Sequence, residues 1–153
     1  MATLRLSNID EYVSGNVRTD AIEIVRGEQK RFVANTGVDL TNYSFTTQVT
    51  YFNASVAYSG TAPNETVTIT GFSPVSGTTD SDFSTIVVVT DAANGDVEFR
   101  IPSNLVPAEI DVPIDTASPL VAVVTTTINR DTTASFPIID KESVAIIVRW
   151  SPA

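Results

Sequence analysis

The carboxylates are the main groups of this chain that could perform chemistry, because its 153 residues include no histidine and no cysteine. Ser-His-Asp and Cys-His catalysis are therefore excluded, as is proton transfer by imidazole. The usual ligand sets of zinc, haem and iron–sulfur centres are also missing. None of the seven glycines precedes the Lys-Ser/Thr pair of a phosphate-binding loop. We expect a protein that is not an enzyme, with no catalytic residues and no cofactor.

Two groups of acids are close enough in sequence to consider as metal ligands. Asp80 and Asp82 flank a serine before a predicted strand, and Glu109, Asp111 and Asp115 lie in a proline-rich segment. Oxygen ligands of this kind suit calcium. However, neither group has EF-hand spacing, and acids beside strands also prevent edge pairing. We interpret both groups as solvated loop residues and expect no metal site; a glycosidase-type acid pair stays open, although no spacing singles one out.

The aromatic side chains offer a surface for binding. The residues that could include a sugar-stacking platform are Tyr43, Phe45, Tyr51, Phe52, Tyr58 and Trp150. Alternation directs most of them into the core. Phe52 and Tyr58 border a predicted loop, so we interpret them as interface anchors. Four apolar residues of the weakly patterned N-terminal segment are further interface candidates, because this segment offers little core of its own: Leu4, Leu6, Ile9 and Tyr12.

The elements that position these residues are predicted to be strands. Val, Ile and Thr make up about a third of the chain, and β-branched side chains favour strands over helices. Period-two alternation is clearest over residues 43–52 and recurs at 65–72, 97–101 and 143–150. Residues 120–129 also form a predicted strand, and the Asn94-Gly95 pair predicts a hairpin turn.

Two segments break the alternation. The continuous apolar run over 83–90 predicts a central strand covered on both faces. Residues 102–119 contain four prolines, which favours a long surface connection or an edge excursion over a central strand. With one domain expected at this length, the strand spacing favours an immunoglobulin-like sandwich or a related barrel. We predict an immunoglobulin-like antiparallel β-sandwich of seven to nine strands over residues 20–153. Residues 1–19 are predicted to be an N-terminal arm or an extra strand that contacts a partner.

Charge and hydropathy limit the partners. The net charge of −9 leaves too few cations for a nucleic-acid footprint. The N-terminus lacks the apolar run of a signal peptide, and no stretch is apolar enough to cross a bilayer. We therefore expect a protein that folds in a cytoplasm, without nucleic acid and without membrane insertion.

Three stretches carry a resemblance to a known family. In residues 22–32, a predicted strand is followed by the turn Arg26-Gly27-Glu28 and a second strand. In residues 38–49, Asp-Leu-Thr precedes an aromatic-rich strand. Residues 94–99 contain a Gly-x-Val-x-Phe pattern. Together they resemble the immunoglobulin-like domain at the start of phage baseplate upper proteins. The resemblance spans residues 22–101 and implies an assembly module, to which no catalytic residues transfer. The host-binding region of such proteins has no counterpart here, so we expect a free-standing version.

The resemblance implies a tailed-phage virion structural protein, assembled in the host cytoplasm. Its expected partners are other virion proteins and copies of itself, in the tail, baseplate or fibre-attachment region. A capsid decoration or cement protein on the head surface is the alternative within this class. A carbohydrate-binding or adhesin module that takes a host-surface glycan is the alternative of another class.

Overall fold

The computed structural model describes residues 17–18, 22–60, 66–75, 81–82, 86–114, 117–136 and 138–150. This part of the chain is all-β, as predicted, and contains no helix that could span a membrane. Its ten strands are β1 (Val17–Arg18), β2 (Ile22–Val25), β3 (Lys30–Asn35), β4 (Ser44–Ser59), β5 (Thr66–Pro74), β6 (Ser81–Asp82), β7 (Val87–Asp91), β8 (Asp96–Ile101), β9 (Leu120–Asn129) and β10 (Ile139–Arg149).

The strands form two sheets, as in a β-sandwich. The large sheet has the order β1-β5-β4-β9-β10-β2, with β6 paired to β4, and the small sheet has the order β3-β8-β7. The alternation predicted for β4 places Val49 and Tyr51 toward the small sheet. They join Ala122 and Val124 of β9 and Ile146 of β10 in the main core. Burial of these apolar side chains supplies the main driving force for folding.

One strand pair corrects the prediction of an antiparallel sandwich. β2 and β10 are parallel, with Ile22 opposite Ile146 and Val25 opposite Arg149. The turn after β2 leads the chain into the small sheet, so β2 and β3 do not form a hairpin. A parallel pair needs a long connection, and here most of the chain lies between the two strands.

The outer face of the large sheet carries a second core. Val121, Ala145 and Ile147 point away from the small sheet and are completely buried. Strands β1 and β2 lie at opposite ends of the sheet order, which corresponds to about 24 Å in a flat sheet. However, only three residues separate Arg18 from Ile22, which allows at most about 14 Å. The large sheet must therefore curl.

Two strand predictions are wrong in position. β4 continues past Phe52 to Ser59, because Ala54 and Val56 keep the alternation and pack into the second core. The predicted central strand at 83–90 is replaced by β7, which lies at the edge of the small sheet. Val88 and Val89 of β7 are only partly buried, so the apolar run does not reflect cover on both faces.

The proline-rich segment is more than a surface connection. Leu105, Val106, Ile110 and Val112 are buried in the main core. Turns closed by bonds from the amide N of Leu105 to the Pro102 carbonyl, and from Ile110 N to the Pro107 carbonyl, direct these side chains inward. The prediction failed because prolines exclude a strand but do not exclude a packed loop.

The predicted N-terminal arm lies mostly outside the described residues. Val17 and Arg18 form β1, which pairs antiparallel with Val67 and Thr68 of β5. The boundary between an arm of residues 1–19 and a sandwich of 20–153 stays a prediction.

Candidate binding surface

Three connections meet at one end of the two sheets. Residues 36–43 join β3 to β4, residues 92–95 join β7 to β8, and residues 130–138 join β9 to β10. Antiparallel pairing of β3 with β8 and of β4 with β9 brings their ends together. We call these three connections the loop end.

Hydrogen bonds between the loops fix their relative positions. The amide of Thr36 donates to the carbonyl of Gly95 at 2.9 Å, and the amide of Leu40 donates to the carbonyl of Ala92 at 2.7 Å. The amide of Thr132 donates to the carbonyl of Asn42 at 2.9 Å, which links the 130–138 loop to the 36–43 loop. A surface held in place before binding loses less conformational entropy when a partner docks.

At Gly95 the 92–95 loop lies close against the 36–43 loop. Its φ of +77° lies in the left-handed region, and a Cβ there would meet the Val38 carbonyl and the Thr36 Oγ1. The predicted hairpin is confirmed, but its turn is not the two-residue type that an Asn-Gly pair favours. That type needs positive φ at both residues, and among the described residues only glycines have positive φ, so Asn94 does not. Four residues separate Asp91 from Asp96, and the amide of Gly95 bonds to the Ala92 carbonyl.

The same Asp-x-Thr motif braces two of the loops. Asp39 Oδ1 accepts hydrogen bonds from the Thr41 hydroxyl at 2.5 Å and from its amide at 2.9 Å. Asp131 Oδ1 does the same for Thr133, at 2.6 Å and 2.9 Å. In both motifs the threonine hydroxyl makes the larger contribution and the threonine amide the smaller one to stabilising the charged carboxylate. These bonds lower the pKa of Asp39 and of Asp131 below the ordinary 3.8.

The loop end exposes apolar side chains within an acidic surround. Phe136 is 88% exposed and Ile138 is 58% exposed, and Val38 and Ile139 are also exposed. The charged residues of the loops and their flanks are five acids and one cation, a net charge of −4: Asp39, Asp91, Asp96, Asp131, Asp140 and Arg130. An aromatic side chain this exposed is costly to leave in water and is typical of an interface anchor.

The predicted interface residues are not among those that form the loop end. Phe52 packs edge-to-face on Phe72, with ring centroids 5.5 Å apart, beside the second core. The backbone of Tyr58 lies in β4, opposite Val67; its side chain lies outside the description. Leu4, Leu6, Ile9 and Tyr12 lie outside the described residues. The interface role of all six stays a prediction.

The other aromatic candidates are dispersed. Tyr51 is buried, and Tyr43 stacks on Phe45 with centroids 6.3 Å apart, so both serve packing. Trp150 is 45% exposed. Trp150 lies just after the C-terminal end of β10, whereas Phe136 lies before its N-terminal end. The eleven residues of β10 separate these two rings by about 30 Å or more. They cannot form one sugar-stacking platform.

The structure describes only part of the two acidic groups. No group of three or more potential ligands comes together among the described residues. Asp82 lies in β6 beside Gln48 of β4, while Asp80 and Asp115 lie outside the described residues.

Sequence reasoning missed Phe136, although a signal was present. It lies in a polar stretch, Thr-Thr-Ala-Ser-Phe-Pro, between two apolar strands, where a lone aromatic has no alternating partners. Its exposure could have been inferred from that position. The comparisons add no relative: no family model matches this chain, and none of the curated proteins searched is similar to it.

Proposed function

We propose that this protein is a non-enzymatic structural protein of a tailed-phage virion. Its sandwich docks onto other virion proteins in the tail, baseplate or fibre-attachment region. The observation that carries the docking role is the loop end, where a rigid set of cross-bonded loops holds Phe136 almost fully exposed. The virion assignment rests on the residue patterns at 22–49 and 94–99.

The immunoglobulin-like topology belongs to the same proposal. In the immunoglobulin fold, one sheet has the strand order second-fifth-fourth and the other has the order seventh-sixth-third. The small sheet, β3-β8-β7, matches the first order when β3 is counted as the second strand of the fold, β7 as the fourth and β8 as the fifth. The order β10-β9-β4 in the large sheet then matches the second, with β4 as the third strand, β9 as the sixth and β10 as the seventh. The additional strand β5 beside β4 corresponds to the variable type. Binding through the loops at one end is a common use of this architecture.

A capsid decoration protein remains the alternative within this class. A small acidic β-domain with one docking surface serves that role as well, and the two positions differ in copy number. The carbohydrate-binding alternative has less support, because Phe136 and Trp150 lie at opposite ends of β10. A sugar titration followed by Trp150 fluorescence would favour it if quenching were saturable.

Quantitative mass spectrometry of purified particles tests the virion assignment. We expect the chain in the particles at a handful of copies each, in keeping with a tail or baseplate position. Hundreds of copies would favour the capsid alternative. Absence from the particles, with the chain present in the infected cell, would contradict the proposal.

A further inference from the structure

A basic depression lies at the end of the small sheet that is opposite the loop end. It has a volume of about 420 Å³ and is lined by Gln29, Lys30, Arg31, Arg100, Ile101 and Pro102. The partly buried Pro102 and three cations thus line one concavity, whereas the side chain of Ile101 is 2% exposed and belongs to the main core. This composition is unusual for a chain with nine cations and a net charge of −9.

Two arginines at this depression share one carboxylate. Arg31 and Arg100 are directly opposite each other on β3 and β8, where like charges repel. Glu98 is their common partner: one oxygen lies 3.6 Å from Arg31 Nη1 and the other lies 2.7 Å from Arg100 Nη2. One negative charge between two positive ones leaves a net positive charge. The side chain of Arg31 is 60% exposed and can reach a further carboxylate.

The loop end has the complementary properties. It presents an exposed phenyl ring, Phe136, among acids that leave a net charge of −4. Residues 26–31 and 98–102 carry four cations and two acids, a net charge of +2. Apolar contact surrounded by opposite charges is the arrangement found at specific interfaces.

The two surfaces cannot meet within one molecule. β3 begins at Lys30 beside the depression and ends at Asn35 beside the loop end, so its length of about 17 Å separates them. We propose that the loop end of one copy docks in the basic depression of a second copy, with Phe136 against Pro102. Because the docked pair keeps one free depression and one free loop end, on different copies, the contact is head-to-tail and can close into a ring or extend as a filament.

This inference rests on the proposed docking role of the loop end and names a second copy as its partner. The test is sedimentation velocity of the full chain over a range of concentrations at low and at high salt. We expect the wild-type mass to rise with concentration and the association to weaken with salt. Two variants should each abolish it: Phe136→Ala, which removes the anchor, and Arg31→Glu, which reverses a charge at the depression. The Glu introduced at position 31 would face Arg100, so folding should be retained.

A mixture of the two variants makes the test specific. Arg31→Glu keeps an intact loop end and Phe136→Ala keeps an intact depression, so the mixture should form heterodimers and nothing larger. Lys141→Glu is the control for the charge change itself. It makes the same change on β10 beside the acidic loop end, away from the depression, and should therefore not weaken association.

A wild-type chain that stays monomeric at about millimolar concentration would overturn the inference, as would an Arg31→Glu variant that associates within about twofold of wild type. If the chain stays monomeric but Phe136→Ala still fails to enter particles, the proposed function stands and only the identity of the partner is wrong.

Discussion

The phenol of Tyr51 donates a hydrogen bond to the backbone carbonyl of Leu105 at 2.5 Å. Both residues are almost completely buried, and 54 positions separate them in the chain. Through this bond the large sheet holds the proline-rich segment against the main core. The contact explains how a segment without strands can fill space between two sheets.

Removal of this hydroxyl should destabilise the fold. The variant Tyr51→Phe leaves the buried Leu105 carbonyl without this donor, and we expect a loss of about 1–3 kcal/mol in the free energy of unfolding. Urea denaturation measures the change. Tyr43→Phe is the control, because the Tyr43 hydroxyl has no hydrogen bond to other described residues, and it should change stability by less than about 0.5 kcal/mol. Equal effects would contradict the role of the bond.

The packing of the proline-rich segment is tested by two isoleucines. Ile110 is 2% exposed in the main core, whereas Ile114 of the same segment is 70% exposed. We expect Ile110→Ala to cost about 2–5 kcal/mol and Ile114→Ala to cost less than about 0.5 kcal/mol. Thermal and urea unfolding of both variants would check this. A tolerant Ile110 would mean that the segment does not belong to the core.

Gly95 should be the least replaceable of the turn glycines. Gly95→Ala introduces a Cβ at positive φ and against the Val38 backbone, so it incurs both strain and a clash. Gly27→Ala is the matched variant, since Gly27 also has positive φ (+87°) but no atom within 4 Å of a new Cβ. Gly27→Ala should cost about 1–2 kcal/mol, and Gly95→Ala should cost distinctly more. Similar losses in urea denaturation would show that the loops do not approach as described.

The Asp-x-Thr motifs predict a specific dependence on pH. Because the folded-state pKa of Asp39 and of Asp131 lies below 3.8, their stabilising contribution is present above that value. It is lost as the pH falls through the lowered pKa. Thr133→Val removes the hydroxyl donor and should raise the Asp131 pKa toward 3.8, as measured by carboxyl-carbon NMR titration. Thr132→Val, whose hydroxyl makes no bond within the described residues, should leave the Asp131 pKa unchanged; a shift of equal size would contradict the assignment.

The alternation of apolar and polar residues predicted which side chains of a strand face the core. The alternation at 43–52 gave the inward face of β4 because each side chain direction follows from the previous one. The same pattern did not reveal that β4 continues to Ser59, since Asn53 and Ser55 are poor strand formers. Their place in the strand is favoured by the second core, which depends on contacts with β5.

The loop end could not be predicted in the same way. Its defining contacts join Thr36 to Gly95 and Thr132 to Asn42, which are 59 and 90 positions apart. Only strand pairing brings those residues together, and no local pattern encodes it. The Asp39-Leu40-Thr41 stretch carries part of the family resemblance. Its Asp-x-Thr hydrogen bonds, which recur independently at Asp131 and Thr133, depend on the folded loop.

We propose that the chain binds virion partners through the loop end, and a comparison of two exposed aromatics tests this most directly. Phe136→Ala and Trp150→Ala remove rings beyond opposite ends of β10, and neither ring lies in the core. The measurement is the number of copies of each variant per purified particle, by quantitative mass spectrometry, with circular dichroism as the check of folding. Loss of an anchor costs about 2 kcal/mol or more, or about thirtyfold in affinity. We therefore expect Phe136→Ala to be depleted at least tenfold and Trp150→Ala to be incorporated as wild type. Incorporation of folded Phe136→Ala at the wild-type level would contradict the account.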